Sequence, residues 1–194
     1  MNDLKNFRII NNKENRIIED SLIKYSFKLP SALKELEFQF FILLDDLSLN
    51  SKFPSIYLVP TTLINTLNII DPDIKTISSG IYFGFIKKNN FYLSLEGAEF
   101  LHTKNCFSKC HYVEVNKQGE KSILYGNNIK KELIIEISNK LNKKDFLLVL
   151  NQSKELIAIA LSQVNYKTFQ NLNPKDVIAL NLVDKGYYLR KKQQ

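Results

Sequence analysis

Ser122-Ile-Leu-Tyr-Gly-Asn-Asn128 is the stretch on which the fold assignment of this 194-residue chain depends. A short apolar segment ends there in a glycine and two asparagines, residues that favour loops and helix caps. We therefore predict a loop at Gly126 and, after it, a helix capped by Asn127 or Asn128. The apolar face of that helix would comprise Ile129, Leu133, Ile134 and Ile137, with Lys130, Lys131 and Lys140 lying away from it.

Short apolar runs surround this predicted helix. His111–Val115 alternates as a strand, and Asn116–Glu120 predicts a glycine-containing turn. Further strands are expected at Phe146–Leu150, Leu156–Leu161, Val177–Val183 and Tyr187–Arg190. Many short strands around one helix are typical of a small barrel.

The first half of the chain mixes helices and strands without a strict period. Helices are predicted at residues 13–26 with Asn11 or Asn12 as cap, from Ser31, after Pro60, and at 97–104 with Ser94 or Glu96 as cap. Strands are predicted at residues 38–44, 55–59, 81–86 and 91–95, the last two forming a hairpin. This pattern favours an α+β domain with an antiparallel sheet over residues 1–105, followed by the mixed β-barrel domain over residues 106–194.

The net positive charge lies entirely in the second domain. The chain has 27 Lys and Arg against 20 Asp and Glu. Residues 1–108 hold 12 of each sign, whereas residues 109–194 hold 15 basic and 8 acidic side chains. A basic excess confined to one segment indicates a polyanionic partner, most often nucleic acid, although a solvated lysine-rich surface would look the same.

Composition indicates a folded, soluble and intracellular protein. Hydrophobic residues make up 44% of the chain, which is the content of a globular protein. No apolar run approaches the roughly 20 residues that span a bilayer, and the start lacks the features of a secretory signal. The chain has two cysteines, which fits a reducing compartment such as the cytoplasm better than a disulfide framework.

One cluster has the composition of a metal site. His102, Cys106, Cys110 and His111 would share a face if a helix continued through them. Their spacing is not that of a zinc finger, and His111 already belongs to a predicted strand. We therefore expect buried free cysteines and no bound metal.

No motif for catalysis or cofactor binding is present in the sequence. The carboxylate pairs Asp45-Asp46 and Asp71-x-Asp73 stand beside residues that favour turns. Glycine-rich phosphate loops, dinucleotide fingerprints and nucleophile elbows are absent. We expect a protein that is not an enzyme and has no cofactor.

The quoted segments resemble a known family. Residues 109–190 resemble a PUA domain, and Ser122–Asn128 is its most specific match. Tyr57–Asn65, Ser79–Phe85 and Phe91–Leu101 are similar to the domain that precedes the PUA domain in the Nip-seven family of ribosome-biogenesis factors.

This resemblance implies a non-catalytic, monomeric RNA-binding factor that acts on large-subunit pre-rRNA. It would be cytoplasmic in an archaeon or nucleolar in a eukaryote, and its first domain would contact assembly proteins. Two alternatives remain: an accessory subunit of an RNA-modification enzyme, and a protein-interaction adaptor.

The resemblance also suggests where RNA would lie: on the glycine loop, the helix after it and a neighbouring strand. Carried onto this sequence, the candidates are Gly126, Asn127, Lys130, Lys131, Lys167, Lys185, Tyr188, Arg190 and Lys191. Glycine permits close backbone approach to a phosphate, lysine and arginine neutralise it, and an exposed tyrosine stacks an unpaired base. The alternative is that the glycine ends a strand, the lysines are solvated and the tyrosines pack internally. The stretch 162–172 departs from the family because Lys167 is its one basic residue.

Overall fold

Two units divide the chain in the computed structural model, Met1–Phe107 and Ser108–Gln194. The structure describes residues 7–26, 28–44, 53–69, 78–107, 112–187 and 190. Each unit has its own sheet, in agreement with the predicted α+β class.

The first unit is built on a five-stranded antiparallel sheet with the order β1-β2-β3-β4-β5. Its strands are β1 (Phe7–Ile9), β2 (Phe38–Leu43), β3 (Ser55–Pro60), β4 (Ile81–Lys87) and β5 (Asn90–Leu93). Its helices are α1 (Asn12–Tyr25), α2 (Leu29–Lys34), α3 (Thr61–Ile69) and α4 (Leu95–Thr103). Every strand and helix predicted within the described part of this half is present.

Local chemistry fixes the helix starts of the first unit. The side chain of Asn11 accepts a hydrogen bond from the Glu14 amide at 2.9 Å, and the Glu14 carboxylate accepts one from the Asn11 amide at 2.8 Å. Ser94 caps α4 in the predicted way, by accepting from the Gly97 amide at 2.9 Å. The predicted start of α2 at Ser31 is wrong, because the helix begins two residues earlier at Leu29, with Pro30 in its first turn, and the Ser31 hydroxyl donates to the Lys28 carbonyl instead.

The second unit is a mixed, barrel-like sheet of six strands in the order β7-β11-β10-β9-β6-β8. Strands β6 and β9 run parallel, and the other neighbours are antiparallel. The strands are β6 (Tyr112–Val115), β7 (Ile129–Lys130), β8 (Ile134–Ile137), β9 (Phe146–Leu150), β10 (Leu156–Ser162) and β11 (Val177–Asp184). The helices are α5 (Lys117–Leu124) and α6 (Tyr166–Phe169). Buried Val, Ile, Leu and Ala side chains from all strands except β8 fill its interior.

The helix of this unit lies before the Gly126 loop, not after it. Asn116 caps α5 by accepting from the Gly119 amide at 2.8 Å, so the turn predicted at Asn116–Glu120 is wrong. Gly119 is needed because an added Cβ would lie 2.9 Å from the Val115 Cβ. Residues predicted as the next helix form β7, a 3-10 turn at Lys131–Leu133 and β8. Because the short 3-10 turn separates the two strands, their apolar residues have the sequence spacing of a helix, which explains why a helix was predicted.

The chain end also differs from its predicted conformation. Tyr187 and Arg190 have helical backbone, and the Arg190 amide donates to the Gly186 carbonyl at 3.1 Å. The strand predicted at Tyr187–Arg190 is therefore wrong. Strand β11 ends at Asp184, and the turn at Lys185 and Gly186 leads into helical backbone.

Lys154 joins two carboxylates that the sheet places opposite each other. Strand pairing puts Glu114 opposite Glu136, and Glu114 is only 7% exposed. The Lys154 ammonium bonds the Glu114 carboxylate and lies 3.6 Å from Oε2 of Glu136. The hydrogen bond to Glu114 raises the pKa of Lys154 above its ordinary value. The stabilisation linked to this shift is therefore complete at neutral pH and is lost as the pH rises through the folded-state pKa of Lys154.

We expect Lys154→Met to lower the free energy of unfolding, because a buried carboxylate then loses its cation and faces a second carboxylate. Urea denaturation at pH 7 measures the effect. Lys144→Met is a matched control, since both lysines have left-handed backbone, with φ of 62° and 71°, and Lys144 is exposed and makes no ion pair with a described residue. Equal midpoints for the two variants would contradict the role of Lys154.

Candidate nucleic-acid interface

The Gly126 loop joins the C-terminus of α5 to β7. Gly126 has a φ of +87° and its amide donates to the Ile123 carbonyl at 2.8 Å. The Asn127 amide donates to the Ser122 carbonyl at 3.2 Å. Both amides close the end of α5, so the glycine serves the helix terminus and neither of these two N–H groups is available to a phosphate.

Arg190 neutralises the negative end of α5. Its guanidinium donates to the Leu124 carbonyl and forms two hydrogen bonds of 2.9 and 3.0 Å with the Asp184 carboxylate. Asp184 is 2% exposed, and the hydrogen bond between the two side chains raises the pKa of Arg190 further. We therefore assign Arg190, predicted as a phosphate ligand, to the internal structure of the second unit.

Two glycines make room for this ion pair. An added Cβ on Gly126 would lie 3.1 Å from Nη2 of Arg190, and one on Gly186 would lie 1.9 Å from the Leu124 carbonyl oxygen. The Asn181 side chain completes the network by donating to the Ile123 carbonyl at 3.1 Å and to Asp184 at 3.0 Å. The two glycines are thus required by packing around Arg190.

Exposed side chains surround this closed network. Tyr125 is 67% exposed, and Tyr187, at the other side of the Gly186 turn, is 41% exposed. The Asn127, Lys130 and Lys185 side chains are also exposed. Two further candidates, Tyr188 and Lys191, lie outside the described residues. Exposed aromatic rings and exposed cations therefore lie close to each other in the sequence.

Lys131 connects β7 to the segment after α6. Its ammonium donates to the carbonyls of Gln170 at 2.9 Å and Leu172 at 2.6 Å, and lies 5.4 Å from the centre of the Phe169 ring. These contacts bind the Lys131 ammonium to groups within the second unit. Lys131 therefore positions the α6 segment beside β7, whereas its neighbour Lys130 remains exposed.

The segment of α6 also lies against the loop between β8 and β9. The Tyr166 amide donates to the Leu141 carbonyl at 2.9 Å, and the Lys143 amide donates to the Asn165 side chain at 2.7 Å. On the far side, the Lys131 amide donates to the Asp176 carbonyl at 3.0 Å. These hydrogen bonds connect β7, the loop before β11, α6 and the β8–β9 loop.

Six exposed lysines project from these connected segments, and we call them the lysine rim. They form no ion pair or hydrogen bond through their ammonium groups with any residue in the described ranges. They are Lys130, Lys140, Lys143, Lys144, Lys167 and Lys175.

The carboxylates of the second unit are mostly engaged elsewhere. Each one except Glu132 accepts a hydrogen bond from a described residue. The carboxylates of Asp145 and Asp176 accept from the backbone amides of Asn142 and Asn173, at 2.6 and 2.8 Å. Others bond Lys154, Asn151 or Arg190. Hydrogen bonds from backbone amides fix the orientation of the Asp145 and Asp176 carboxylates and leave their negative charge in place.

Sequence reasoning missed four of the six rim lysines and Tyr125. The omitted lysines are Lys140, Lys143, Lys144 and Lys175. The signal was available in Asn142-Lys-Lys-Asp145, a polar turn with adjacent cations. What the sequence does not give is the hydrogen bonding that places this turn against α6.

The cluster of His102, Cys106, Cys110 and His111, for which no bound metal is expected, is only partly described. Cys106 is buried, its thiol makes a weak contact with the Lys104 carbonyl, and burial raises its pKa. Cys110 and His111 lie outside the described residues, as do the four paired aspartates at 45, 46, 71 and 73. Across the ranges that the structure describes, no three His, Cys, Asp or Glu side chains are grouped to hold a metal.

The described helices include none that is long and apolar enough to cross a membrane.

Comparison with known proteins identifies the second unit. Residues 111–193 match the family model described as "UPF0113 PUA domain". No curated protein matches the sequence. The second unit therefore carries a PUA domain, in agreement with its barrel-like sheet.

Archaeal proteins share the fold of nearly the whole chain. A hypothetical protein from Pyrococcus horikoshii OT3 has a TM-score of 0.64 at 11% identity and covers 97% of this chain and 99% of its own. A conserved PUA domain protein from Thermoplasma acidophilum has a TM-score of 0.62 at 14% identity, with coverages of 96% and 98%. A PUA domain protein from Aeropyrum pernix K1, solved with tartrate, has a TM-score of 0.63 at 12% identity, with coverages of 94% and 88%. The similarity at these identities is one of fold.

We expect Arg190→Gln to lower the thermal unfolding midpoint, because Asp184 and the end of α5 lose their cation. Lys167→Gln removes an equal charge from an exposed helix residue and should leave the midpoint nearly unchanged. Differential scanning calorimetry at pH 7 compares the two. An unchanged midpoint for Arg190→Gln would restore the arginine as a candidate RNA ligand.

Proposed function

We propose that the second unit binds RNA through the lysine rim and the exposed side chains beside Gly126. One observation carries this proposal: residues 109–194, which contain the segment that matches a PUA domain, hold the whole net charge of the chain. PUA domains bind RNA, and a basic surface is the electrostatic footprint of such binding.

The rim supplies the phosphate contacts of this proposal. Lysine neutralises a phosphate as a flexible point charge, without the fixed geometry of arginine. Six such groups on connected segments therefore favour contacts with the phosphate backbone along an RNA strand. Binding of this kind weakens steeply with salt and depends little on sequence.

The tyrosines beside Gly126 supply a different contact. Tyr125 has most of its side chain in solvent and forms no ring contact with a described residue. A free aromatic ring stacks an unpaired base, typically for about 1–3 kcal/mol. Tyr125 therefore favours single-stranded RNA, in which bases are available for stacking.

The finer biological role is an inference from the family resemblance. We propose a factor of the Nip-seven type that acts without catalysis in large-subunit pre-rRNA processing, with RNA on the second unit and assembly proteins on the first. The paired sequence similarities of Tyr57–Leu101 and Ser122–Asn128 support this role. A two-unit fold shared with archaeal proteins over more than nine tenths of the chain is consistent with it.

Affinity purification of the full chain from its native cell tests this role. Recovery of large-subunit precursor RNA and assembly proteins is the expected result. Recovery of an RNA-modification enzyme in their place would make the chain an accessory subunit. RNA-free recovery of proteins would indicate an adaptor.

We expect the triple variant Lys143→Gln, Lys144→Gln, Lys167→Gln to bind single-stranded RNA roughly 100-fold more weakly at about 0.1 M salt, because each phosphate left without its lysine removes about 0.7 from the salt-dependence slope. Fluorescence anisotropy across a salt series measures both quantities. The control is Lys13→Gln, Lys28→Gln, Lys104→Gln, which removes three exposed lysines of the first unit. If the control weakens binding as much as the rim variant, the rim is not the binding surface.

A further inference from the structure

The outer end of the first sheet carries three aromatic rings in a continuous stack. The rings of Phe53 and Phe85 have centroids 5.8 Å apart at 23°, and those of Phe85 and Tyr92 have centroids 5.1 Å apart at 11°. We call these three rings the aromatic ladder. Phe85 and Tyr92 are direct cross-strand partners on β4 and β5, so the pleat of the sheet holds these two rings in place.

Tyr92 is the last ring of the ladder and is partly exposed. Tyr92 lies on β5, the last strand of the sheet order, and is 43% exposed. Phe85 is the one ring that contacts it among the described residues. The ring of Tyr92 therefore ends the stack and leaves part of its surface in solvent, available to one more planar group.

The edge beside Tyr92 is closed to an added strand. Helix α1 covers it, because the Ser21 hydroxyl accepts from the Phe91 amide at 3.0 Å and the Tyr25 hydroxyl accepts from the Leu93 amide at 3.4 Å. A protein segment that pairs through its backbone lacks free partners here. The side chain of Tyr92 is the part of this edge that remains available.

Cations surround the ladder. The Lys87 ammonium lies 4.7 Å from the centre of the Phe53 ring, and Lys88 occupies the hairpin turn next to it. The Lys24 ammonium bonds the Asn90 side chain at 3.2 Å on the same hairpin. None of the three forms an ion pair with a carboxylate in the part of the chain that the structure describes. An aromatic ring flanked by such lysines is complementary to a planar group joined to phosphates.

We propose that the aromatic ladder is a second RNA contact, at which an unpaired base stacks on Tyr92 while Lys87 and Lys88 neutralise the adjacent phosphates. The zero net charge of residues 1–108 does not oppose this, because three of its 12 cations, Lys24, Lys87 and Lys88, lie at this one hairpin. Stacking on an exposed sheet aromatic is sequence-tolerant, since every base has a π-face. This inference uses the RNA binding proposed above but depends on a different unit and different residues.

Substitution of Tyr92 in the full chain tests the ladder. The probe is a single-stranded RNA of about 24 nucleotides and mixed sequence, long enough to contact several sites on one protein. We expect Tyr92→Ile to weaken binding by about 5- to 100-fold, because the base loses its stacking partner. Tyr92→Phe keeps the ring and should bind as the wild type does. Isoleucine suits an exposed strand, and thermal midpoints of both variants well above the assay temperature verify that folding is intact.

Two further readouts separate a base contact from a structural effect. Lys87→Gln, Lys88→Gln should lower the salt slope by about 0.7 for each phosphate that is no longer neutralised. Photocrosslinking with 4-thiouridine RNA, read by mass spectrometry, should attach the RNA to the peptide that contains Tyr92.

Each outcome decides between the two proposals. Loss of binding in the rim variant with no change in Tyr92→Ile, and no crosslink at Tyr92, overturns the ladder site and leaves the PUA site in place. Loss in Tyr92→Ile with no change in the rim variant supports the ladder and overturns the PUA site. Unchanged RNA binding by Tyr92→Ile with loss of a co-purifying protein makes the ladder a protein contact, which also overturns the proposal. No RNA binding by the wild type removes both.

Discussion

The buried carboxylate of Asp184 constrains the end of the second unit. At 2% exposure its charge requires a partner inside the protein, and Arg190 supplies two hydrogen bonds to it. The same guanidinium bonds the Leu124 carbonyl, so one cation satisfies both a buried anion and the end of α5. Asn181 binds the same carboxylate and the preceding turn of the helix. Glycine is required at position 186, because a Cβ there would lie 1.9 Å from the Leu124 carbonyl oxygen, and is favoured at position 126 by its φ of +87°.

The cations of the second unit include two groups that differ in whether their charged ends are bonded within the unit. Arg190, Lys131 and Lys154 are engaged with carboxylates or carbonyls and hold segments together. The six lysines of the rim are not engaged in this way by described residues, and Lys131 connects two of the segments that carry them, β7 and the segment of α6. A net charge counted from sequence cannot make this distinction, since lysines of both groups contribute equally to it. The structure shows which charges face solvent, where a polyanion would meet them.

The sequence predicted most of the strands for a simple physical reason. Segments such as Phe146–Leu150 and Leu156–Ser162 are continuous apolar runs, and burial of a run that short favours a strand. The cap at Asn11 and the hairpin near Lys88 were also predictable, because their chemistry is local. The segment after Gly126 was not, since its apolar residues have helical spacing and only pairing of β8 with β6 decides their conformation.

The candidate site was predictable in its charge and not in its geometry. Arg190 was a reasonable phosphate ligand by residue type, but its partner Asp184 becomes close only when the chain turns at Gly186. Lys143 and Lys144 were overlooked because the helix predicted over residues 129–140 left no reason to place the following turn beside α6. In the structure, the Asn165 side chain makes that connection.

The two proposed surfaces differ in how much of their energy depends on salt. The rim acts through charges, and its contribution declines as counterions compete for the phosphates. The ladder adds a stacked ring, whose contribution depends on contact area and solvation and persists when charges are screened. An RNA held by both surfaces would therefore retain residual, aromatic-dependent binding in salt that abolishes rim contacts. A neutral first unit can in this way contribute to nucleic-acid affinity, because a stacked ring and two neighbouring lysines act in addition to the net charge of the second unit.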